Sequence, residues 1–192
     1  KLNKKDIFFK SANIWNDFFD IFESNEFLKL IYNEFRENLV FNNSFKFLFG
    51  IKNDNITHSN FLDFFKKRVK IEYNFSILKD NAVVPLHTES GKKCVTCLLY
   101  FGDTSTAIEN GTNFFVPNNN FSKKKFKRWS TKRLEEKLEK EFFLNHKKIP
   151  VNFVPNNMLM FSKNAHTWHN TDHMIGENVY RKSISIFANM KV

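Results

Sequence analysis

Near Val69 the apolar residues of this chain change their spacing from that of a helix to that of a strand, and no other feature limits the fold as strongly. Before that point Ile14, Phe18 and Phe22 recur every four residues, and beyond a break at Ser24-Asn25 so do Phe27, Ile31 and Phe35. Ser59 is a candidate N-cap for a third helix carrying Phe61, Phe65 and Val69. Such stripes most often pack against a sheet. From Val69 onward come short β-rich runs bounded by turn residues: 69–78, 83–89, 94–102, 111–117, 151–154, 157–163, 166–171 and 179–189. Strands of this number and length suit a jelly-roll-type double sheet.

At 192 residues the chain has room for one domain with a substantial core. Residues 1–192 therefore read as a single domain, with 1–68 as helical support and 69–192 as the β core. One segment, 118–150, interrupts the strands. It opens with an Asn-rich turn and ends in a helical stretch where Leu134, Leu138 and Phe142 form a stripe and Glu136 precedes Lys140 by one turn. Between them, residues 123–133 hold seven Lys or Arg interleaved with Phe126 and Trp129. Such a run could neutralise phosphates and stack on bases, so a nucleic-acid-binding protein is the alternative reading. The net charge of +10 favours anionic partners in general without choosing among them.

With 42% hydrophobic residues and 25 Phe, the core is expected to be largely aromatic. No apolar run of about 18 residues is present, and no charged-then-apolar leader, so neither a membrane span nor a secretory signal is expected. Cys94 and Cys97 lie three apart on an expected strand, where they would point to opposite faces and stay reduced. A cytoplasmic setting fits that usage.

The chemistry is concentrated in His87-Thr-Glu89, in the histidines near 169 and in Arg181-Lys-Ser183. Residues two apart on a strand share a face, so His87 and Glu89 can reach one ion. Of His166, His169 and His173, His169 is the candidate third ligand, since it follows the strand at Met158-Leu-Met-Phe161 by the interval expected of the next strand. The other two read as exposed or hydrogen-bonded. Two imidazoles and one carboxylate can cap one face of iron(II) and leave the opposite face for a co-substrate and dioxygen. Arg181 and Ser183 share a face of the last strand, where a guanidinium fork and a hydroxyl can meet a carboxylate. An arginine inside an apolar strand is costly to bury unpaired. Ser183 and Tyr100 suit either a site or ordinary sheet positions. Lys93 reads as a solvated turn residue, and Trp168 as either a shield for a metal or plain packing.

Taken in order, these segments resemble the iron(II)- and 2-oxoglutarate-dependent dioxygenase superfamily, in particular its prolyl-4-hydroxylase-like branch. His87-Thr-Glu-Ser-Gly-Lys-Lys-Cys-Val-Thr-Cys-Leu-Leu-Tyr100 resembles the segment with the first two metal ligands and a co-substrate tyrosine. Asn110-Gly111-Thr-Asn-Phe-Phe115 resembles the Gly-Gly strand, Met158 to His169 the strands delivering the distal histidine, and Arg181-Lys-Ser-Ile-Ser-Ile-Phe187 the last strand. The resemblance covers about Val69 to Ala188 without the insertion. It implies a double-stranded β-helix of jelly-roll or cupin-like form, with His87, Glu89 and His169 on Fe(II) and with Arg181, Ser183 and Tyr100 on 2-oxoglutarate. The implied reaction consumes dioxygen, converts 2-oxoglutarate to succinate and hydroxylates a substrate, a prolyl residue in a peptide or protein or else a small molecule. A nucleic-acid demethylase with 123–133 as a clamp, and a metal-binding β-helix protein without turnover, are the other readings. Two departures stand out: the acid is Glu rather than the usual Asp, and a longer gap from His169 leaves either Arg181 or Lys182 to take the co-substrate.

Overall fold

The computed structural model describes residues 13–41, 63, 65–79, 81–89, 92–101, 108–118, 136–164, 166–176 and 178–191. Two helices come first, α1 (Asn13–Glu23) and α2 (Asn25–Phe41). Ser24 joins them. Its Oγ accepts the Phe27 N–H at 3.0 Å, the N-cap contact that starts α2, and donates to the Ile21 carbonyl at 2.7 Å. The packed face of α1 is Trp15, Phe18, Phe19 and Phe22, not the predicted Ile14, Phe18 and Phe22: Phe19 is buried, whereas Ile14 is 72% exposed. A step of four residues overshoots a full turn by about 40°, so a stripe built only of fours drifts off the buried face. In α2 the predicted stripe faces the protein, with Ile31 fully buried, Phe27 buried and Phe35 packed against the same cluster. Of the third predicted helix, residues 65–68 are helical and Phe65 is buried, but Val69 already belongs to a strand, and Ser59 and Phe61 lie outside the described residues.

The strands are β1 (Val69–Lys79), β2 (Lys93–Phe101), β3 (Thr112–Pro117), β4 (His146–Val151), β5 (Met158–Ser162), β6 (Trp168–Asn170) and β7 (Tyr180–Met190). They form two antiparallel sheets, in the orders β1-β7-β2-β5 and β4-β3-β6. Strand alternation divides β7 between two environments. Ile184, Ile186 and Ala188 join Phe27, Leu28 and Ile31 of α2 in the main hydrophobic cluster, while Arg181, Ser183, Ser185 and Phe187 line a cavity. Each fully buried aliphatic side chain in that cluster contributes roughly 1.5–3 kcal/mol. A smaller cluster of Leu86, Phe115, Phe142 and Trp168 is closed by α3 (Glu136–Asn145), so Trp168 is packing. The chain is thus mainly β, a jelly-roll-type double sheet supported by N-terminal helices.

Two strand expectations differ from the structure. Residues 83–89 do not form a ladder: His87 alone makes a β-bridge, to His169. The strand expected at 151–154 lies earlier, at His146–Val151, directly after α3 and inside the segment read as an insertion. Its exposed lysines and Pro150 hid it, and both are tolerated because β4 is an edge strand, where a residue without an N–H costs no ladder bond on the open side. The basic run 123–133 lies outside the described residues. Cys94 and Cys97 are free, fully buried and members of the same cluster, because a register shift between Lys93 and Val95 breaks the alternation that would have separated them. No helix among the described residues is long and apolar enough to cross a membrane.

Candidate metal and carboxylate site

Between the two sheets lies a cavity of about 220 Å³, and His87, Glu89, His169, Arg181 and Ser183 all line it. The two histidines are brought together by backbone bonds: each N–H donates to the other's carbonyl, at 3.0 and 2.9 Å, and the ring centroids stand 4.2 Å apart. Both rings are oriented in the same way. Nδ1 of His87 is 2.8 Å from the Pro85 carbonyl, and Nδ1 of His169 is 2.9 Å from the Thr167 carbonyl. A carbonyl only accepts, so Nδ1 carries a proton in each ring and Nε2 is the nitrogen left to face a metal. Burial, then the neighbouring His87, pushes the His169 pKa down to about 4, which keeps it neutral near pH 7. Phe161 and Phe114 pack on its ring at 4.8 and 5.7 Å.

Glu89 is buried in the same cavity but spends its carboxylate elsewhere. Thr96 Oγ1 donates to Oε1 at 2.9 Å, and the Lys93 ammonium pairs with Oε2. Burial alone would raise the Glu89 pKa; Lys93, assisted by His169 and the Thr96 hydroxyl, outweighs it and holds the group below its ordinary value. Among the described residues no group of three or more His, Cys, Asp or Glu side chains has metal-holding geometry. The histidine pair fits a divalent ion in donor type and tautomer. Glu89, as placed, does not complete the set.

Lys93 is therefore not the solvated turn residue expected. It opens β2, lines the cavity and lies over the Phe187 ring with Nζ 4.0 Å from the centroid. Its position four residues after Glu89 was visible, but an i,i+4 pair signals an interaction only on a helix, and Lys93 is the first residue of a strand.

Arg181 is 3% exposed, and Nη1 donates to the Gly111 carbonyl at 3.0 Å while Nη2 donates to Thr112 Oγ1 at 3.1 Å. Nε has no partner, and no described carboxylate pairs with the guanidinium. Desolvation accordingly lowers its pKa. Tyr100 is buried beneath, with its ring centroid 5.0 Å from the guanidinium carbon and its hydroxyl 2.7 Å from Thr112 Oγ1. Tyr100 thus braces Arg181 and Thr112 and does not itself line the cavity. Lys182 alternates to the other face and is exposed, so of these two neighbours Arg181 is the one that faces the cavity. Thr112, unremarked in the sequence, joins Arg181 to Tyr100; the adjacent Gly111 was its only signal. His166 and His173 are exposed, the latter with Nδ1 3.0 Å from the Asn81 carbonyl.

Solved structures with a similar fold include a Pseudomonas putida prolyl-4-hydroxylase, at 12% identity over 70% of this chain and 59% of that chain, with a TM-score of 0.43. The non-haem alpha-ketoglutarate-dependent carbocyclase SnoK from nogalamycin biosynthesis matches at 11% identity over 68% and 54%, with a TM-score of 0.45. An oxidoreductase of the 2OG-Fe(II) oxygenase family from Burkholderia pseudomallei matches at 11% identity over 72% and 61%, with a TM-score of 0.36. The likeness is one of fold. The chain spans less than two thirds of the length of each of these structures. No family model matches the sequence, and no curated protein does.

Proposed function

We propose that this chain is an iron(II)- and 2-oxoglutarate-dependent oxygenase domain that hydroxylates a substrate while 2-oxoglutarate is converted to succinate. The observation that carries the reading is Arg181, a buried cation with an unpartnered Nε, lining the cavity into which two Nδ1-protonated histidines also face. A guanidinium without a counter-charge is stabilised there by an anion, and its planar fork suits a carboxylate. Iron(II) would supply the activation of dioxygen. The residues of the chain have separate tasks. Arg181 would take the distal carboxylate of 2-oxoglutarate, with Ser183 on the same face of β7 offering a hydroxyl. Gly111 and Thr112 hold the guanidinium plane, and Tyr100 supports it from below. His87 and His169 offer Nε2 from adjacent backbone positions, while Phe161 and Phe114 limit water around His169. The substrate, as a prolyl residue of a peptide or as a small molecule, is proposed by resemblance only.

Anaerobic addition of iron(II) and 2-oxoglutarate tests this reading. A weak visible charge-transfer band is expected in the wild type and not in His87→Ala or Arg181→Met. Its absence from folded wild-type protein, together with no conversion of 2-oxoglutarate to succinate in air, would sink the assignment.

A further inference from the structure

We propose that Lys93 is a built-in counter-ion that holds Glu89 off the histidine pair and gives it up when a divalent cation enters, so that it sets the metal affinity of the site. This rests on the reading that His87 and His169 bind a metal. Three observations carry it. The Glu89 carboxylate lies in the cavity of the imidazoles, yet its two oxygens are engaged by Lys93 and Thr96 and no three-ligand group is assembled. The Lys93 ammonium is not a passing surface charge, since it is seated between Glu89 and the Phe187 ring, both of which line that cavity. Its side chain is 28% exposed against 6% for Glu89, so the lysine has a way out to solvent while the carboxylate has none.

The exchange follows from charge. A buried carboxylate needs a cation, and here the Lys93 ammonium supplies it. A divalent ion held by the two histidines would compete with the ammonium for Glu89, since two cations sharing one carboxylate repel each other. Lys93 would then withdraw along its flexible stem, while Thr96, which donates to Oε1, would steady the acid. The lysine is a positioning residue, acting only through Glu89.

Mn(II) binding to the metal-free protein, followed by the loss of free Mn(II) resonance signal, tests the proposal without any turnover. Lys93→Met should bind Mn(II) roughly tenfold or more tightly than wild type, the repelling charge being gone. Lys93→Arg, whose fork grips a carboxylate more firmly, should bind less tightly than wild type. Without metal, Lys93→Met should melt below wild type, and Mn(II) should raise its melting temperature by more than it raises that of the wild type. If Lys93→Met fails to fold, Lys93→Arg decides, weaker binding supporting the proposal and unchanged binding overturning it. Equal affinity in wild type and Lys93→Met would overturn the counter-ion role and leave the metal reading intact. No Mn(II) binding by any of the three proteins would overturn both.

Discussion

The backbone N–H of His87 donates to the His169 carbonyl at 3.0 Å, and the N–H of His169 returns the bond to His87 at 2.9 Å. With the Thr171 N–H donating to the Val84 carbonyl at 3.0 Å, this bridge joins the stretch before β2 to the edge of a sheet, and it brings together two imidazoles far apart in sequence. Because both rings are also tied through Nδ1 to the carbonyl two residues earlier, their orientation does not await a metal.

Arg181→Met should abolish 2-oxoglutarate binding, measured by calorimetry under nitrogen, while changing stability by no more than about 2 kcal/mol. Removing an uncompensated buried cation offsets the hydrogen bonds lost at Gly111 and Thr112. A large loss of stability with co-substrate binding retained would show that Arg181 is structural.

Gly111→Ala should lower stability in urea unfolding by about 1–3 kcal/mol or more and weaken 2-oxoglutarate binding with it. A Cβ at Gly111 would stand 1.8 Å from the Val151 carbonyl oxygen, which is backbone of the paired strand and cannot swing aside. The carbonyl of Gly111 also accepts from Arg181, so the strand shift needed to relieve the clash moves the anchor.

The metal-free protein should lose stability as the pH falls from about 6.5 towards 4. His169 is held neutral in the fold, with its pKa lowered from 6.5 to about 4 by burial and by His87. The unfolded chain takes up its proton first, so this contribution is complete above 6.5 and drains away as pH drops through that window. Melting temperatures of wild type and His169→Asn across the window check it: the slope should flatten in the variant.

Cys94 and Cys97 should resist alkylation in the native protein and react fully once it is unfolded. Both are completely buried, and burial pushes each thiol pKa up to about 12, leaving at pH 8 a thiolate fraction of about one in ten thousand. Rapid labelling of the folded protein by iodoacetamide would contradict the placement of β2 against the helices.

The sequence by itself determined the order of helices before strands, the buried face of α2, the location of most strands and the alternation that separates Arg181 from Lys182. These are legible because period and propensity are local properties of the chain. It also singled out His87, His169, Arg181 and Ser183, which the two sheets bring to one cavity. Tertiary structure alone decided that β4 begins at His146, that both thiols face one cluster, that Tyr100 braces Arg181 through Thr112 and that Glu89 is bound to Lys93. None of these could be read from spacing, because each depends on which strand pairs with which and on where a buried charge finds its partner. Such a partner is chosen by distance and desolvation in the folded protein, not by neighbourhood along the chain.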